Sequence, residues 1–195
     1  MPVRFARKEE IVEKLEPEAI ITLSNFEKKL EQWEPITLRL LQNITMVSKK
    51  LDGFYELIKE GTITGAEIRG WLNVNLRMPL EEYQSTIYTS YKVFLQNIAV
   101  EFLSSNIPEG FALAKQARSI LNTLKNFEIN ARIINSICKN IFKIPDNLIQ
   151  QFHGLQKVLE TRLPELRRQV VQQHEDMHAL AAQCRTVKEL EKARV

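Results

Sequence analysis

FALAKQARSILNTLKNFEINARIINSICKNIFKI, residues 111–144, holds the most regular apolar spacing in this chain of 195 residues. Leu113, Ala117, Ile120, Leu124, Phe127, Ala131, Ile134, Cys138 and Ile141 recur at alternating steps of four and three. That is a heptad seam of about four repeats, the period of a helix packed lengthwise against other helices. One edge of the seam is small to medium (Ala117, Leu124, Ala131, Cys138) and the other is bulky (Ile120, Phe127, Ile134, Ile141). Alanine at the contact lets a neighbouring axis come close, so the stretch is expected to be a central helix of a bundle. At about 1.5 Å per residue it would run roughly 50 Å. Pro145 is expected to stop it.

Moving back from this helix, Asn106-Ile-Pro-Glu-Gly110 offers an N-cap, a proline and an early acid, which together signal a helix start. Before it, Tyr83, Ile87, Tyr91, Phe94, Ile98 and Phe102 share one helical stripe that opens at Pro79. Tyr83, Tyr88 and Tyr91 are expected at the edge of the core with hydroxyls toward water. Base or ring stacking on them is the alternative. Residues 66–78 are ambiguous. Leu72, Val74, Leu76 and Met78 alternate with polar residues, which is a strand period, but no partner strand is in view and helix is the expectation.

Thr64 and Glu67 have capping-box spacing, which predicts a helix beginning after Thr64. Gly61 and Gly65 flank the clearest break in the chain. Ahead of it, Leu40, Ile44, Val47, Leu51, Phe54 and Ile58 mark one helix. Ile20, Leu23, Phe26, Leu30 and Trp33 mark another, expected to close at Pro35. Arg7 to Leu15 can form a short helix with early acids. The expected organisation is a helical hairpin over 1–60 packed on a main bundle over 61–195. The alternative is a single domain 1–195 with a C-terminal coiled-coil helix.

Beyond Pro145, Asp146 or Asn147 can cap a helix carrying Leu148, Phe152, Leu155, Leu159 and Leu163 on one face. Pro164 predicts a kink or break. After it, residues 165–192 keep a narrow heptad through Leu166, Val170, Met177, Leu180, Cys184 and Val187, with Gln173 the one polar seam position. So narrow a stripe suits a coiled-coil seam, within the bundle or with a second copy of the chain. The fold class is therefore all-α, a helical bundle with long coiled-coil-like helices.

Composition sets the outer limits. The chain is 44% hydrophobic and 26% charged, with six glycines and seven prolines, which suits long helices rather than disorder. No run reaches the roughly 18 apolar residues of a membrane span, and the start of the chain lacks the apolar region of a secretory signal. Cys138 and Cys184 both fall on seam positions, as expected for free buried thiols in a reducing, cytoplasmic setting. The net charge of +3 is unevenly spread: residues 106–145 carry six basic groups and two acidic ones.

Two patterns are candidates for chemistry. His174-Glu-Asp-Met-His178 matches the zinc-peptidase arrangement, in which histidines four apart on a helix reach one Zn²⁺ and the glutamate activates its water. A third ligand is missing: Glu189 and Glu191, the only later acids, lie about 16–20 Å along the same helix. Metal binding and a zinc hydrolase are thus the lesser reading, with no cofactor expected.

Arg118, Lys125, Arg132 and Lys139, seven apart, form one basic row along the central helix, expected to face outward. Four charges over roughly 30 Å can follow phosphates, an acidic protein or an anionic membrane surface. No phosphate loop or activated nucleophile is present. The expected function is a non-enzymatic adaptor or assembly protein that packs helices with protein partners or with itself. Its homo-oligomer seam would be Leu166, Val170, Met177, Leu180 and Val187. Binding of an anionic partner through the basic row is the alternative.

Overall fold

Gly61 ends one helix and Thr64 starts the next, as the sequence predicts. The computed structural model describes residues 23–194. In it α1 spans Phe26–Glu60, and Gly61 sits in the left-handed region at φ 71°, which a residue without Cβ enters freely. The Gly61 and Thr62 amides bond back to the Ile58 and Leu57 carbonyls and so close the helix. The Thr64 hydroxyl accepts from the Glu67 amide at 3.2 Å and opens α2, Gly65–Leu72.

From there the chain stays helical to Glu101, through α3 (Met78–Tyr83) and α4 (Thr89–Glu101). A π turn precedes each: Asn73–Arg77 before α3 and Gln84–Tyr88 before α4. After a short turn come α5, Pro108–Asn140, and α6, Leu148–Ala193. Among the described residues there is no strand.

The described residues form four antiparallel rods (α1, the composite 65–101 rod, α5 and α6) packed on one another as an all-α bundle. Each meets its neighbours in sequence, and α6 closes the ring on α1. Tyr55 stacks with Phe152 near one end of that closure, and Arg185 pairs with Glu27 at 3.0 Å near the other. A single continuous core runs from Phe26 to Val187.

The expected central helix lies where its spacing put it. Leu113, Ala117, Leu124, Phe127, Ala131, Ile134 and Cys138 are buried, and Ile120 and Ile141 partly so. It ends at Asn140 rather than Ile144. Ile141 is extended and Phe142 turns into the left-handed region at φ 60°, folding its ring into the core before Pro145 is reached. Asn106 does not cap the helix. Ile107 occupies that position, its amide donating to the Ser105 hydroxyl. At the start of α6, Asn147 stands at the cap position with no side-chain cap bond.

Proline outcomes differ from expectation. The two helices expected over 20–58 are, over the described residues, the single helix α1, which runs through Pro35. Residues 26–60 therefore form no hairpin, and they join the same core as the rest. The short helix expected at Arg7–Leu15 lies outside the described residues. Likewise α6 continues unbroken across Pro164. In both cases the buried face continues past the proline: Leu30, Trp33, Leu40 and Ile44 in α1, Leu159, Leu163, Leu166 and Val170 in α6. Each such side chain contributes roughly 1.5–3 kcal/mol on burial, against about 3 kcal/mol for an interior proline.

Residues 66–78 are helical, and the apparent alternation resolves by burial. Leu72 and Leu76 are fully buried, while Val74 and Met78 are more than half exposed. Ile68, Leu72, Leu76 and Leu80 recur every four residues, a spacing that drifts about 40° per step round an ideal α-helix. The first π turn absorbs that drift, the Met78 amide bonding to the Asn73 carbonyl five residues back. Pro79 supplies the cause. It has no N–H for the Asn75 carbonyl and crowds it, and that carbonyl instead accepts from Asn43 Nδ2 of α1 at 2.9 Å.

Tyr83, Tyr88 and Tyr91 are core residues, and the hydroxyls of Tyr83 and Tyr88 are bonded within the chain rather than left to water. Tyr83 donates to Gln173 Oε1 at 2.6 Å, entirely inside. Asn130 links α5 to α6 through Gln169 Oε1 at 3.1 Å. These bonds account for polar side chains on otherwise apolar seams.

Candidate functional site

The basic row follows from the α5 seam. Each member lies one position after a core residue (Ala117, Leu124, Ala131, Cys138), about 100° round the helix, and Arg118, Lys125, Arg132 and Lys139 are all exposed. None forms an ion pair or side-chain hydrogen bond among the described residues.

The lower half of the row forms one wall of an open groove of about 1330 Å³ between α5 and the 65–101 rod. Both π turns border it. Arg132 and Lys139 come from α5; Arg77, Glu81, Glu82 and Lys92 come from the opposite wall, together with the exposed apolar side chains of Met78 and Val93.

Every acid in this groove already has a cation. Glu81 pairs with Arg77 at 2.7 Å, Glu82 with Arg39 of α1 at 3.4 Å, and Glu128 with Lys92 at 2.9 Å. Glu128 also accepts from the Tyr88 hydroxyl at 2.7 Å. The Lys92 and Tyr88 bonds hold its carboxyl below the usual carboxylate range, with a smaller contribution from Arg132. Burial, reinforced by Glu128, raises the Tyr88 phenol far above its ordinary value, so it remains a donor. Among the described residues Arg132 and Lys139 are left as the unpaired charges, and the described lining of the groove is positive by that surplus. At its floor Asn135 Nδ2 donates to Gln84 Oε1 at 3.0 Å, while Asn135 Oδ1 is buried without a donor among the described residues.

The histidine pair lies elsewhere, on α6 facing α1. Met177 is buried, His174 is half-buried and His178 exposed, with ring centroids 4.4 Å apart. Burial and then the neighbouring His178 lower the His174 pKa, with Glu34 and Glu175 acting against them. Among the described residues no three His, Cys, Asp or Glu side chains are grouped to hold a metal ion. His153 is exposed beside Tyr55.

The oligomer seam requires correction. Leu166, Val170, Met177 and Leu180 are 0% exposed and Val187 5%, all within one chain. The other three rods use up that narrow stripe, so it offers no apolar surface to a second copy. Both cysteines are free and buried, and burial pushes each thiol up to about 12, leaving them inert near neutral pH.

Sequence spacing located Arg132 and Lys139, with Glu128 beside them on the same helix, but missed Arg77, Lys92 and Asn135 as their companions. The four-residue recurrence Ile68–Leu72–Leu76–Leu80 was the available signal, since it marks the π turn that sets the opposite wall. No helix among the described residues is long and apolar enough to cross a membrane. No family model matches this chain, and no curated protein or solved structure is significantly similar to it.

Proposed function

We propose that this protein is a non-enzymatic binding module that engages an anionic partner through the α5 row Arg118, Lys125, Arg132 and Lys139. The observation that carries the reading is a row of four exposed cations with no acid paired to any of them among the described residues. Association of chains through the α6 seam loses its basis because that seam is internal. A zinc hydrolase has two histidines and no third ligand grouped with them among the described residues. Two free, buried thiols support residence in a reducing compartment such as the cytoplasm.

Replacing all four row residues with Gln tests the reading. Because the residues are exposed and unpaired, the melting temperature should stay within a few degrees. Affinity for a polyanion such as single-stranded oligonucleotide or heparin should fall, and its dependence on salt should flatten. Unchanged affinity and salt slope in the quadruple variant would refute the proposal.

A further inference from the structure

Resting on that reading, the geometry points to the class of partner: an amphipathic α-helix with one acidic edge, lying lengthwise in the groove between α5 and the 65–101 rod.

Shape selects a helix. A trough between two packed helices, whose axes lie about 8–10 Å apart, accepts a cylinder about 10–12 Å across. A nucleic-acid duplex, whose major groove alone is about 12 Å wide, is too thick to enter. A flat bilayer would meet the rims without reaching Asn135 at the floor.

Charge and polarity then orient the helix. Among the described residues Arg132 and Lys139 sit on the α5 wall without an ion-pair partner, whereas Glu81, Glu82 and Glu128 are each neutralised within the chain. The acidic edge therefore faces α5. The row repeats every seven residues, about 10.5 Å, so carboxylates at heptad spacing on a partner helix match it in pitch. Across the groove, Met78 at 55% and Val93 at 41% exposure give the apolar edge a place to rest.

The test is selection from a displayed library of 21-residue helices, using the full chain as bait. One edge varies among Glu, Gln and Lys at heptad positions, and the adjoining edge varies among Leu, Ala and Ser. Enrichment of Glu beside Leu is expected. The best binder, labelled for fluorescence anisotropy, should bind at least tenfold more tightly than its scrambled sequence. It should lose at least tenfold with R132E/K139E, a pair of exposed positions whose exchange should leave the circular dichroism unchanged.

Selection of Lys edges, no enrichment, or equal binding of the scrambled peptide would overturn the helix as partner. If phosphatidylserine vesicles or a 20-nucleotide single strand still bind in a row-dependent, salt-sensitive way, the anionic-partner reading survives that failure. If they do not, both fall.

Discussion

Phe142 shows how one residue sets a helix boundary. A bulky side chain at φ 60° is costly for an L-residue, and here burial of the ring offsets that cost. The ring lies against Gly65, where an added Cβ would stand 2.7 Å from Phe142 Cβ. Gly65→Ala should therefore destabilise the protein by about 1–3 kcal/mol, read as a melting temperature lower by roughly 2–4 °C per kcal/mol. An unchanged melt would show that the turn yields freely. At His174 the sign is set by burial and by His178, which hold its pKa below the ordinary value against Glu34 and Glu175. The folded state thus binds fewer protons than the unfolded one. The stability tied to His174 is fully present above its unfolded pKa of about 6.5 and is lost as pH falls through the depressed value. Denaturant midpoints measured between pH 7.5 and 5 should fall, and His174→Gln should make that fall shallower.

Among elements, the prolines mark where local rules yield to burial. Pro164 is exposed on an unbroken helix, so Pro164→Ala should restore a backbone bond and stabilise by about 1–3 kcal/mol. A loss of stability in denaturant titration would mean that α6 needs the proline's geometry. The same competition explains what could be read in advance. The seam Leu113–Cys138 was legible because packing and propensity agree over its whole length. Pro35 was misread as a terminus because its local cost was weighed without the burial of Leu40 and Ile44 beyond it. The strand-like run Leu72–Met78 hid a helix whose π turn depends on Asn43, a residue on another rod. The groove was illegible for a related reason. Lys92 and Glu128 meet only after two π turns have set the register of the wall that faces α5.

At the scale of the whole molecule, placing the α6 seam inside one chain changes what a seam mutation does. Leu180 is 0% exposed, so Leu180→Arg should cost several kcal/mol and lower the melting temperature, leaving the state of association as it was. A folded species of smaller mass by light scattering would instead restore the seam to an interface between chains. The closure of α6 on α1 has a topological consequence. The two rods run side by side, with Glu27 and Arg185 paired at the end where one starts and the other approaches its finish. Four rods in a ring have a cyclic order but no intrinsic first member. A circular permutant opened in the exposed turn at residues 61–64, with residues 194 and 23 bridged by a flexible linker, would keep every inter-rod contact among the described residues. It should melt cooperatively, as the natural order does. The long-range closure of α1 on α6 would become a local hairpin, and the contact of α1 with the 65–101 rod would become the last to be sealed.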